Sequence, residues 1–135
     1  MDNLRFNIFK KAAISRCFDL NVFNYIKKKK INFPVYLSAG QEYVAASIAE
    51  FCRIKKIKPQ LFGQHRGHSI YLTFGGKIDL LIREMLGFKD GCTYGMGGSC
   101  SIHSKEINMY GHDGFMGSNV PIGVGSAFAN KKSTI

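Results

Sequence analysis

The chain has 135 residues, enough for one domain with a real core, and its 45% apolar and 21% charged content excludes a disordered polymer. A formal charge of +10, from 19 basic against 9 acidic side chains, leaves nucleic acid, an anionic membrane face or an anionic ligand as candidate partners. No apolar run approaches the roughly 20 residues that a membrane-spanning helix needs.

Apolar residues at Phe6, Phe9, Ala13, Cys17, Leu20 and Phe23 fall close to a helical period, so Leu4 to Ile26 is predicted as one long amphipathic helix. It runs into Lys27 to Lys30, and Asn32 to Pro34 then breaks the pattern. Ser38-Ala-Gly-Gln41 has the form of a capping box, which predicts a second helix to about Ile54, thinned by Ala45, Ala46, Ser47 and Ala49. A short apolar segment around Leu61 and Phe62 leads into HRGH at 65 to 68. Ile78 to Leu86 predicts a third helix, with Gly87 placed just past its end.

Beyond that point the pattern changes. Gly87 to Gly125 holds ten of the fifteen glycines and reads as a long irregular path, of the kind a compact domain keeps for function. Val120 or Pro121 opens a fourth helix, since proline suits a first turn. Ser133 to Ile135 reads as the first residues of a strand, which suggests a fragment. The clusters Lys27 to Lys30, Lys55, Lys56 and Lys58, and Lys131 and Lys132, each follow an apolar segment and suit the negative ends of helix dipoles.

Cys17, Cys52, Cys92 and Cys100 form no CxxC pair and follow no secretory leader, so reduced thiols in a cytoplasmic setting are expected. No activating partner is visible for Cys92 or Cys100, which read as small buried residues. The glycines do not form a nucleotide fingerprint: there is no GxxxxGK loop, and neither Gly95-x-Gly97 nor Gly123-x-Gly125 continues to a third glycine. Gly95, Gly97, Gly98, Gly111, Gly114 and Gly117 would instead let backbone amides approach a ligand.

Arg66 can make a bidentate contact to phosphate, and His65 flanks it. A metal could draw on His65, His68, Cys92, Cys100 or His103, yet the spacing is not that of a zinc site, and none is assigned. His103 and His112 can act in acid–base work or satisfy loop carbonyls. Met116 is either a core plug or a wedge against a flat ligand.

Taken in order, LSAGQE at 37 to 42, HRGH at 65 to 68, LGFKDGCTYGMGGSCSIH at 86 to 103 and GHDGFMGSNVPIGVGSAFANK at 111 to 131 resemble one family. They look like the alpha subunit of thiamine diphosphate-dependent 2-oxo acid dehydrogenases of the pyruvate, branched-chain and acetoin type. The resemblance implies an α/β fold, the N-terminal portion of a thiamine diphosphate-binding fold with a parallel sheet flanked by helices. It implies thiamine diphosphate and Mg2+ as cofactors, a beta subunit as partner in an alpha-two beta-two assembly, and transfer of an acyl group to the lipoyl acyltransferase component. In that family the aminopyrimidine is activated by a glutamate of the beta subunit.

Carried over by position, Arg66 matches the arginine of a tyrosine–arginine pair that reaches the diphosphate, and His65 takes the place of the tyrosine. Gly114 and Met116 match positions along the aminopyrimidine, where an apolar side chain supports the bent cofactor. The chain departs from the pattern at Tyr36, where pyruvate-type members usually have an active-site histidine, and at SCSIH in place of the commoner SMH. The family's GDG and following asparagine, which hold magnesium and diphosphate, are not in the sequence. Residues 1–135 are therefore expected to be an incomplete domain that binds cofactor weakly and catalyses nothing alone. Two other readings are a non-catalytic remnant or interaction module, and a basic nucleic-acid-binding module with salt-dependent affinity.

Overall fold

A computed structural model describes residues 3–130 and 134–135. It is helix-rich with a small parallel sheet, compatible with an α/β fragment. In chain order the elements are α1 (Leu4–Lys27), α2 (Glu42–Ile54), β1 (Leu61–Gln64), α3 (His68–Thr73), α4 (Ile78–Met85), β2 (Met109–Asp113) and α5 (Asn119–Asn130). Four of the five helices match the predicted ones to within a few residues. The lysine pair at 131 and 132 and the predicted strand residue at 133 lie outside the described residues.

Helix α1 starts where the Asn3 side chain accepts the Phe6 amide, but it buries the face opposite to the predicted one. Phe6, Phe9, Leu20 and Phe23 are exposed, while Ala12, Ser15, Phe18, Asp19 and Val22 are buried against α2 and α3. Apolar residues lie nearly all round this helix, so period alone could not choose a face. The face with small and polar residues faces inward because it permits close approach and supplies Asp19 to a buried network. Phe6 and Phe9, with Ile14 and Tyr25, line a groove of about 720 Å³ shared with Ile78 and Ile82 of α4.

Helices α1, α2, α3 and α4 stop in the same way. A residue with positive φ follows the cap, and the next amide reaches back five residues: Lys30 N–H to Tyr25 C=O, Ile57 to Cys52, Gly76 to Tyr71 and Phe88 to Arg83. Gly75 and Gly87 occupy the positive-φ position in α3 and α4, but Lys29 and Lys56 occupy it in α1 and α2, at φ +54° and +56°. The lysine clusters at these two ends follow the helix-terminus reading.

The predicted capping box of α2 does not form. Gln41 is the N-cap residue, and Ser38 is drawn away by Asp19, to whose Oδ2 its amide and hydroxyl donate at 2.7 and 2.9 Å. Glu42 steadies the start instead: its carboxylate accepts the Gly40 amide and a two-pronged contact from Arg16. The Arg16 guanidinium holds the Glu42 carboxyl below the usual carboxylate range.

The glycine-rich region is less irregular than its composition suggests, because it contains β2. This strand pairs in parallel with β1, with Phe62 opposite Gly111 and Gln64 opposite Asp113. On the other side of β1, Thr134 bridges to Gln60 in parallel, and Ile135 exchanges backbone bonds with Gln60 and Phe62. Leu61 and Met109 join Phe18, Val22, Ile31, Tyr71, Leu81, Met85 and Ile102 in one core beneath this sheet.

Candidate functional site

Parallel pairing brings the two candidate segments together. With Gln64 opposite Asp113, His65-Arg66 and Gly114-Phe115-Met116 leave the same carboxyl edge of β1 and β2 side by side. In open parallel sheets this edge is where ligands bind, because the strands end there and the following loops diverge. Separations of 48 and more residues along the chain hide this adjacency in the sequence.

Arg66 is exposed, and its Nη1 donates to the Leu37 carbonyl at 3.1 Å. It borders a cavity of about 350 Å³ together with Gln41, Gln64 and Ser69. His65 is half-buried and meets Tyr36 edge to face at 4.6 Å between ring centres, so two positions that depart from the family pattern touch each other. The buried Nδ1 of His65 has no hydrogen-bond partner. Gly114 has open space where a side chain would project, and Met116 is 73% exposed, so it is no core plug.

His112 sits beneath this edge, fully buried, and its Nδ1 accepts the Ile102 amide at 2.8 Å. That assignment places the ring proton on Nε2. Burial first, and His68 second, push its pKa down to about 4, so the ring is neutral in the fold. Gly67 is required opposite it: a Cβ there would lie 2.4 Å from His112 Nε2. His112 therefore serves the loop, whereas His103 is exposed.

The amides of Thr93, Gly95, Gly97 and Gly98 are taken up inside the fold. Glu84, at the end of α4 and buried, accepts Gly97 and Gly98 N–H on Oε1 at 2.8 and 3.0 Å, and Thr93 and Gly95 N–H on Oε2 at 2.7 and 3.0 Å. Gly95 and Gly98, at φ +73° and +54°, turn the backbone so that these donors converge. The expectation that Gly95, Gly97 and Gly98 present amides to a ligand is corrected accordingly. Glu84 was missed in the sequence, although a signal existed: an acid in the last turn of a helix opposes the helix dipole and needs another reason to be there.

A second buried network underlies the site. Asp19 Oδ1 meets His68 Nδ1 at 2.7 Å, and His68 Nε2 meets Ser99 Oγ at 2.9 Å. Ser99 Oγ also accepts the Tyr36 amide at 2.9 Å, and Ser38 Oγ accepts the Ser69 amide at 3.1 Å. Asp19 and Ser99 carried no functional reading in the sequence. The signal was an acid on a helix, Asp19, whose neighbours at helical spacing are Ser15 and Val22.

All four cysteines are free. Cys92 and Cys100 are half-buried rather than buried, and burial raises the Cys92 thiol to about 11. Among the described residues, no group of three His, Cys, Asp or Glu side chains is placed to hold a metal ion. No helix among them is long and apolar enough to cross a membrane.

The sequence profile of the dehydrogenase E1 component family matches residues 10–134. Among curated proteins, the chain is 34% identical over 125 residues to pyruvate dehydrogenase E1 component subunit alpha-1, mitochondrial, of Arabidopsis thaliana, covering 93% of this chain and 31% of that protein. It is 38% identical over 105 residues to the corresponding alpha subunit of Chaetomium thermophilum, covering 78% of this chain and 24% of the relative. The Saccharomyces cerevisiae alpha subunit is 32% identical over 124 residues, covering 92% and 28%. The chain thus spans about three tenths of the length of the relatives it matches. These relatives are named as mitochondrial, which overturns the cytoplasmic expectation. Free thiols indicate a reducing setting and do not separate one such compartment from another.

Proposed function

The chain belongs to the dehydrogenase E1 component family, and from that premise we propose that it forms part of an alpha subunit of a thiamine diphosphate-dependent 2-oxo acid dehydrogenase. The observation that supports this reading is the register of β1 and β2, since the segments carrying His65-Arg66 and Gly114-Met116 follow paired strand ends on one sheet edge. In this reading the intact enzyme cleaves or decarboxylates an oxo substrate and passes the acyl group to a lipoyl carrier, in a mitochondrial setting like that of its relatives.

The residues present fit the organic part of the cofactor. Arg66 supplies a planar cation for diphosphate oxygens, and the unpartnered Nδ1 of His65 is a further polar contact. The open space at Gly114 admits a flat ring close to the backbone, against which Met116 supplies an apolar support. Bound thiamine diphosphate supplies the carbon nucleophile that amino-acid side chains lack. The described residues do not fit magnesium, which favours clustered oxygen ligands, and no step is assigned to it.

A beta subunit is the proposed partner, in an alpha-two beta-two assembly with a lipoyl acyltransferase component beyond it. Helix α5 supports this, since Val120, Ile122, Val124 and Phe128 are all exposed, an apolar surface suited to another polypeptide. The test is titration of the intact protein, co-expressed with its beta partner, with thiamine diphosphate and magnesium. Arg66→Ala should weaken binding by roughly 10- to 100-fold, the value of charge-assisted hydrogen bonds, and Met116→Ala by roughly fivefold or more. Unchanged affinity in both variants refutes the site assignment.

A further inference from the structure

The segment 36–38 lies in the connection between the first two helices and borders the candidate site. Three of its groups matter there: the Tyr36 ring against His65, the Leu37 carbonyl under Arg66, and Ser38 in the interior. Both ends of this strap are tied to one buried chain of side chains. The Tyr36 amide donates to Ser99 Oγ, and the Ser38 amide and hydroxyl donate to Asp19 Oδ2. His68 joins the two anchors, with Asp19 on Nδ1 and Ser99 on Nε2.

The proton positions follow from the partners. Ser99 Oγ accepts an amide, so its single hydrogen is available for His68 Nε2, and the imidazole proton on Nδ1 goes to the Asp19 carboxylate. The order Ser99–His68–Asp19 matches that of a nucleophile, a base and an orienting acid. Ser99 is only 1% exposed and already holds a backbone amide, so no substrate can reach it.

We propose that Asp19, His68 and Ser99 are positioning residues, which fix the 36–38 strap and through the Leu37 carbonyl set the guanidinium of Arg66 for an anionic ligand. The proposal rests on the reading of Arg66 as the diphosphate contact. The anion-binding arginine is aimed by a backbone carbonyl whose two neighbouring residues are both clamped from below.

The test is a double-mutant cycle on the full chain, with inorganic diphosphate as the probe and amide hydrogen exchange as a second measurement. Ser99→Ala should weaken diphosphate binding by about 3- to 10-fold, the value of one lost hydrogen bond, and speed exchange at Tyr36. It should leave exchange unchanged at Thr93 and Gly97, which Glu84 holds. In the Arg66→Ala background the same substitution should cost nothing further, because Ser99 acts through Arg66. Ser99→Thr, which keeps the hydroxyl, should restore Tyr36 protection. A loss of equal size in both backgrounds, or unchanged affinity and exchange in Ser99→Ala, overturns the proposal. Absence of diphosphate binding in the wild type removes the cofactor reading of Arg66 instead. The exchange data then still report on the strap: protection lost at residue 36 alone upholds the clamp, and uniform protection overturns it.

Discussion

Glu84 holds the glycine-rich loop by electrostatics, and substitution by glutamine is the sharpest perturbation of it. Each carboxylate oxygen accepts two backbone amides, Gly97 and Gly98 on one and Thr93 and Gly95 on the other. Glutamine keeps the shape but turns one oxygen into an NH2 group. Whichever way the amide is flipped, two N–H donors then face another donor. Hydrogen bonds to charged groups contribute about 1.5–3 kcal/mol each, so two lost bonds set an upper range of roughly 3–6 kcal/mol. Loop relaxation and the easier burial of a neutral side chain reduce this, leaving about 3 kcal/mol. Against a typical domain stability of about 5–15 kcal/mol that is a large fraction. Urea denaturation should show a lower midpoint at unchanged slope, and amide exchange should quicken at residues 93–98 before anywhere else. The exposed pair Arg83–Asp90 gives the control: Asp90→Asn should change stability by less than about 0.5 kcal/mol. If Glu84→Gln falls within the same margin, the loop is not held by the carboxylate and the reasoning fails.

His112 should give the fold a marked acid sensitivity. Its pKa is about 4 in the fold against an ordinary 6.5, so between these values the unfolded chain binds a proton that the folded chain refuses. This contribution to stability is complete above pH 6.5 and is lost as pH falls toward 4, in all on the order of 3 kcal/mol. His112→Asn keeps an acceptor for the Ile102 amide without titrating, so its unfolding free energy should be flatter between pH 4 and 6.5; an unchanged slope would locate the sensitivity elsewhere. Lys56→Gly should stabilise the chain by up to about 1 kcal/mol, since φ is +56° there and only glycine adopts it without strain. A fall in melting temperature for this variant would show that the lysine side chain contributes more than its backbone costs.

Much of the helical framework was legible in the sequence. Long apolar periods, a proline near the start of α5 and Gly87 after α4 are local signals, and the backbone follows them because helix hydrogen bonds are themselves local. The order of the motifs likewise pointed to the family that the profile match establishes. Short elements were harder. Helix α3 is six residues long and β2 five, within a run whose glycines argue for loop; β2 exists because β1 lies beside it to take its hydrogen bonds.

The sequence by itself therefore determined where the four longer helices lie, to within a few residues, and which family the chain resembles. Tertiary structure alone decided which face of α1 is inside, where Asp19 replaces the more apolar side because it finds Ser38 and His68. It also decided that the amides of Thr93, Gly95, Gly97 and Gly98 serve Glu84 and that the segments after Gln64 and Asp113 leave the same sheet edge. These are pairings between groups far apart along the chain. Their strength depends on partners converging in three dimensions, which spacing in one dimension does not encode.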